Sequence, residues 1–183
     1  MSGGPGSAAA AGAPPRSAAV VVASTSAAAG LAEDRTGPAI RDWLREHGFA
    51  VIGPAVVEDG AAVGAAVRSA LAAGAAVVVT TGGTGVSPSD LTPEQVGPLL
   101  DPQLPGLVEE IRRRGLSSTP MSVVTRGVAG FAGNAFVITL PGSPGGVRDG
   151  LAVLGDVLEH LLDQRTRPEA GHGDPRDGGA AAR

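Results

Sequence analysis

Thr80-Thr81-Gly82-Gly83-Thr84-Gly85-Val86-Ser87-Pro88-Ser89-Asp90-Leu91-Thr92-Pro93-Glu94 leaves a short β-branched run, residues 75–80, and enters a segment with helix-start chemistry. Val77, Val78 and Val79 predict a strand buried on both faces. Thr92 is placed to cap a helix, Pro93 suits its first position, and Gln95 stands where a capping-box side chain reaches back. A strand that turns through glycines into a helix is the repeating joint of a parallel α/β sheet, whose ligands bind at the strand C-terminal ends.

The same alternation runs outward from this joint. Upstream, residues 18–23 with Val20, Val21 and Val22 predict a first buried strand. Pro38 opens an amphipathic helix carrying Ile40, Trp43 and Leu44 and ending at Gly48. Residues 49–57 predict a second strand, and the alanine-rich 61–73, closed by Gly74, a second helix. Downstream, 108–114 continues helically, 122–128 and 135–140 read as strands, and Gly133-Asn134 signals a hairpin that makes one pair antiparallel. Leu151, Leu154, Leu158, Leu161 and Leu162 set a final amphipathic helix over 147–162. The expected fold is a single α/β domain over 17–164, a mostly parallel sheet with helices on both faces and one antiparallel hairpin. Residues 1–16 and 165–183 hold 13 of the 44 Gly and Pro with no apolar periodicity, and are expected to be disordered tails.

Composition narrows the chemistry. With no Cys, thiol nucleophiles, disulfides and sulfur-ligated metals are excluded, so any metal must be hard. All 14 basic residues are Arg, which removes lysine Schiff bases and the lysine of a Walker A loop. A net charge of −4 gives no footprint for nucleic acid or anionic lipid. The N-terminus lacks the pattern of a signal peptide and no long apolar span follows, so a cytoplasmic location is expected. The expected domain carries nine Arg against 15 Asp plus Glu. An acidic body binds an anion only with local help from backbone N–H groups, placed Arg or a divalent cation.

Three loops offer that help. Gly82, Gly83 and Gly85 let the backbone approach a ligand and turn N–H groups inward, with Thr81 and Thr84 as added donors. The same spacing also serves a tight structural turn. Pro88 stands where a dinucleotide fingerprint needs its third glycine. Pro141-Gly142-Ser143-Pro144 again leaves a strand and opens a helix, whose N-terminus favours negative charge. In the loop 24–37, Arg35 is a candidate phosphate clamp that Asp34 could orient, or half of a surface ion pair. Asp90 and Asp59 are candidate ligands of a divalent cation, or a turn carboxylate and a loop acid. His47, His160 and His172 do not cluster.

In combination the segments resemble the molybdenum cofactor biosynthesis family that includes bacterial molybdopterin adenylyltransferase and the matching domains of fusion proteins such as gephyrin. The resemblance spans about residues 17–162 and rests on six stretches. They are 32–37 (AEDRTG), Asp59, 80–85 with 90–94 (TTGGTG, DLTPE), 104–107 with Glu109 (LPGL), 125–130 (TRGVAG) and 140–144 (LPGSP). It implies a three-layer α/β/α sandwich, a homotrimer, and Mg²⁺-dependent transfer of AMP from ATP to molybdopterin, releasing pyrophosphate. Asp59 and Asp90 are then the metal-binding, catalytic acids. Thr81, Gly82, Gly83, Thr84, Gly85 and Ser87, with Pro141, Gly142, Ser143 and Pro144, hold molybdopterin, while Ser24, Asp34, Arg35 and Gly37 hold the nucleotide. The product passes to a molybdate-insertion protein. Two positions depart from the family pattern: Thr25 stands where an acid is usual, and Gly145 and Gly146 where a Lys is often found. They leave open a molybdopterin carrier or scaffold that does not adenylylate.

Overall fold

A computed structural model describes residues 15–166; the tail positions 1–14 and 167–183 lie outside the described residues. Five strands form one sheet in the order β2-β1-β3-β5-β4. They are β1 (Ser17–Ala23), β2 (Ala50–Val57), β3 (Val77–Thr81), β4 (Ala129–Ala132) and β5 (Ala135–Leu140). All pairings are parallel except β4 with β5. The helices are α1 (Thr25–Ala28), α2 (Thr36–Glu46), α3 (Ala61–Ala72), α4 (Thr92–Val96), α5 (Pro105–Gly115) and α6 (Pro144–Thr166).

The pleat separates two cores. Val20, Val22, Val77, Val79, Phe136 and Ile138 point to the face covered by Ile40 and Leu44 of α2, Ile111 of α5, and Leu151, Leu154 and Leu158 of α6. Val21, Val78 and Val137 point to the other face, against Val63 and Val67 of α3 and Val96 of α4. The mostly parallel sheet between two helix layers is the expected architecture, and β1 and β3 are buried on both faces because three consecutive valines in each serve both cores. β2 lies at an edge, where Pro54 withholds no ladder hydrogen bond from an interior strand.

Four expectations need correction. Residues 122–128 form no strand: Pro120–Val124 is a 3-10 turn and the hairpin strand begins at Ala129. The backbone just before that strand is engaged elsewhere, with the Arg126 N–H on the Thr84 carbonyl at 2.8 Å. Thr92 does not cap α4; Leu91 occupies that position without a side-chain bond, and Thr92 Oγ1 donates instead to Asp59 Oδ1 at 3.3 Å. The loop after β1 contains a short helix, α1, capped by Ser24, whose Oγ accepts from the Ala27 N–H at 3.2 Å. Arg16, Arg165 and Thr166 belong to the folded body: α6 runs to Thr166, and Arg16 pairs with Glu159 at 3.3 Å and Asp163 at 2.8 Å.

Candidate functional site

The site is built where strand C-terminal ends meet. Parallel register sets Thr81 beside Leu140, so the turns after β3 and β5 start side by side. The Gly82 N–H donates to the Leu140 carbonyl at 3.2 Å, and Thr81 Oγ1 to the Pro141 carbonyl at 2.8 Å. Gly142 packs on Gly82, where an added Cβ would come 3.1 Å from the Gly82 Cα. Gly82 takes φ +90°, and a Cβ added there would fall on the Ala23 carbonyl oxygen at the end of β1, so no larger residue fits. The two glycine turns therefore form one ridge between β1 and α6.

A hollow lies on each side of this ridge. The first, about 290 Å³, is walled by Ser24, Asp34, Arg35 and Thr36 on one side and by Thr81, Gly82, Gly142 and Pro144 on the other. The second, about 420 Å³, is walled by Thr84, Gly85, Pro141, Gly142 and Ser143 and, opposite, by Ile111, Gly115, Met121 and Val124. Gly145 and Gly146 of the first turn of α6 open on the second hollow, so the positive end of that helix faces it. Ser143 caps this helix: its Oγ accepts from the Gly146 N–H at 3.1 Å.

Several predicted residues serve the scaffold of these walls. Asp34 Oδ1 accepts from the Thr36 and Gly37 N–H groups, both at 2.9 Å, and so caps α2 rather than orienting Arg35. Arg35 is exposed, with Glu33 as its partner at 3.9 Å, an ion pair in open water. Gly37 borders neither hollow; a Cβ added there would meet the Asp34 carboxylate, Pro54 and Val22. Ser87 lies beside neither hollow: its N–H donates to Asp90 Oδ2 at 3.0 Å and its Oγ lies 3.0 Å from Ser89 Oγ.

The two acids flank the glycine turn from behind. Asp59 Oδ1 accepts from the Gly60 N–H at 2.7 Å, the Leu91 N–H at 3.2 Å and Thr92 Oγ1 at 3.3 Å, while Oδ2 lies against Gly83. Gly83, at φ +61°, has no room for a Cβ beside that oxygen. Asp90 Oδ2 stands 2.7 Å from where a Cβ on Gly85 would be. Neither carboxylate lines the two hollows, and among the described residues no three His, Asp or Glu side chains gather as a metal cage. Asp90 instead borders a third, shallow hollow of about 340 Å³ with Ser87, Glu94 and Arg126.

Two residues of the site received no role from sequence reasoning. Thr125 Oγ1 donates to Thr84 Oγ1 at 2.9 Å in a buried contact. Arg126 donates through Nε to the Gly85 carbonyl at 2.6 Å, through Nη2 to the Asp90 carbonyl at 2.5 Å, and through Nη1 to the Glu94 carboxylate. Its hydrogen bond holds the Glu94 carboxyl below the usual glutamate range. The TRG stretch was the available signal, but nothing local says which loop an arginine after a turn will reach.

Comparison with known proteins places this architecture. The chain is 39% identical over 135 residues to a "Molybdenum cofactor biosynthesis bifunctional protein" of Synechococcus elongatus, a match covering 73% of this chain and 42% of that protein. The chain thus spans about two fifths of the length of that relative. It is 36% identical to a "Molybdopterin adenylyltransferase" of Pyrococcus furiosus over 73% of this chain and 81% of that one. Among solved structures, the "molybdopterin biosynthesis Mog protein" of Mycobacterium ulcerans superposes with a TM-score of 0.79 at 51% identity, covering 82% of this chain and 99% of that chain. The family described as "Probable molybdopterin binding domain" matches residues 19–160, which take in both glycine turns and every strand tip they join. By that match, and by a fold that carries it from β1 to α6, the chain belongs to the molybdopterin-binding domain family.

Proposed function

We propose that the protein acts in molybdenum cofactor biosynthesis by transferring AMP from ATP to molybdopterin. The observation that carries this reading is the pair of hollows on either side of the Gly82 and Gly142 ridge. A two-substrate transfer needs its reactants on opposite sides of a shared, amide-rich partition, close enough to react and aligned on binding. The apolar second hollow suits the flat pterin, and the first hollow, more polar in its lining, the nucleotide. A terminal phosphate oxygen of molybdopterin attacks the α-phosphorus of ATP. The new P–O bond forms as the bond to pyrophosphate breaks, and pyrophosphate carries away the electron pair. Gly142 and the first turn of α6 stabilise the phosphate charge through backbone N–H groups and the helix dipole, and Arg35 contributes at the mouth.

Asp59 Oδ2 and Asp90 Oδ1 have no protein donor among the described residues, which suits a magnesium ion held by carboxylate, phosphate and water together rather than by a protein cage. When bound there, Mg²⁺ supplies neutralisation of the phosphate charge that the acidic domain lacks. The same reading includes a homotrimer and hand-over of adenylyl-molybdopterin to a molybdate-insertion protein. Exposed Leu116, Met121, Val123 and Val124 beside the second hollow support a subunit contact. No helix among the described residues is long and apolar enough to cross a membrane.

The purified chain with ATP, Mg²⁺ and molybdopterin is expected to release pyrophosphate. Asp90→Asn should lower that rate by about 100-fold while molybdopterin affinity changes less than about threefold. One observation favours binding without transfer, namely that neither acid borders the two hollows. Wild-type protein that binds molybdopterin and releases no pyrophosphate would establish that carrier role instead.

A further inference from the structure

We infer that Arg126 is a positioning residue: with Asp59 it holds the Asp90–Leu91 peptide from its two ends, and so sets where the Asp90 carboxylate stands beside the glycine turn. The carbonyl of this peptide accepts from Arg126 Nη2 at 2.5 Å, and its N–H donates to Asp59 Oδ1 at 3.2 Å. A cation at the oxygen and an anion at the hydrogen polarise one peptide group in the same sense. Both bonds are charge-assisted, a class stronger than neutral pairs.

The hold reaches both ends of the loop. Arg126 Nε binds the Gly85 carbonyl at 2.6 Å and its own N–H binds the Thr84 carbonyl at 2.8 Å. Within that span the Ser87 N–H closes on Asp90 Oδ2 at 3.0 Å. The tip carries little packing of its own, since Val86 is 71% exposed. Polar ties, not burial, therefore determine its shape. Each of the three guanidinium nitrogens donates within the protein, which fixes Arg126 to this loop, whereas Arg35 is exposed and loosely paired. The ridge does not depend on Arg126, because Gly82 and Thr81 are tied to β5 and its following turn.

The kinetic arm of the test rests on the adenylyl-transfer reading, and the exchange arm does not. In the full chain, Arg126→Ala should speed amide hydrogen exchange at Ser87 and Leu91 by about tenfold, with Val137 in β5 unchanged. The Mg²⁺ concentration giving half-maximal pyrophosphate release should rise about tenfold, while the molybdopterin Kd moves less than about threefold. Arg126→Lys should recover part of both effects, since an ammonium reaches one carbonyl but not three acceptors. Unchanged exchange at Leu91 in the Ala variant overturns the inference. So does faster exchange at Val137 in both variants, which would make Arg126 a determinant of the whole fold. If wild-type protein releases no pyrophosphate, the transfer reading fails and the exchange arm alone decides.

Discussion

The hollow beside Ser24, Asp34 and Arg35 and the hollow beside Ile111, Met121 and Val124 share the Gly142 turn, yet their outer walls are made differently. The first is closed by a loop and a helix start, where a capping Asp34 and a solvent-facing Arg35 supply polar atoms. The second is closed by the buried side of α5 and a 3-10 turn, with apolar side chains facing the ridge. Their buttresses differ too. Arg35 meets Glu33 only at 3.9 Å, whereas Glu110 on α5 receives Arg113 at 2.6 Å and Arg114 at 2.9 Å. One partition thus offers a charged, adaptable side and an apolar, braced side, as a ligand pair of unlike chemistry requires.

The harshest way to break this arrangement is at the ridge itself. Gly82→Ala places a Cβ on the Ala23 carbonyl oxygen at positive φ, and is expected to cost about 2–4 kcal/mol and abolish binding of both ligands. Thermal unfolding with titration of each ligand checks it; wild-type affinity for either would mean the two sides do not share the wall.

A paired experiment sharpens the division. Met121→Asp should weaken molybdopterin about tenfold by setting a charge against an apolar face, leaving ATP nearly unaffected. Arg35→Ala should raise the KM for ATP about three- to tenfold with molybdopterin unaffected, a gap that narrows in high salt. Equal effects of both variants on both ligands would dissolve the distinction.

The smallest effect concerns the braced wall. Hydrogen bonds from Arg113 first, then Arg114, draw the Glu110 carboxyl down to about 2 from 4.5. Because the folded value is the lower one, this stabilisation is complete above about pH 4.5 and is lost as pH falls towards 2. Glu110→Gln should flatten the acid-unfolding curve slightly in that window, by little because the pair faces water. Identical curves for the two proteins would remove Glu110 from the buttress.

Much of this was readable along the chain. Valine triplets in β1 and β3, leucines at helical spacing in α6 and the Gly133-Asn134 turn each act over a few residues; β1, β3, β5 and α6 formed as expected, and the hairpin turn formed although its first strand lies later than 122–128. Errors arose where local chemistry had two uses. Thr92 looks like a cap, and Asp59 from 33 positions away takes its hydroxyl. Residues 122–128 look extended, but Arg126 is held by a loop 41 residues upstream.

Local pattern, then, determined which segments become strands and helices, and that glycine turns would stand at strand ends, because periodicity and turn chemistry are properties of neighbouring residues. Only the folded chain decided that Gly82 and Gly142 form a single partition, that the walls behind it are unlike, and that Asp90 is placed through Arg126. Those facts depend on strand order and on contacts between distant residues, which the pairing of β3 with β5 creates and no short stretch encodes.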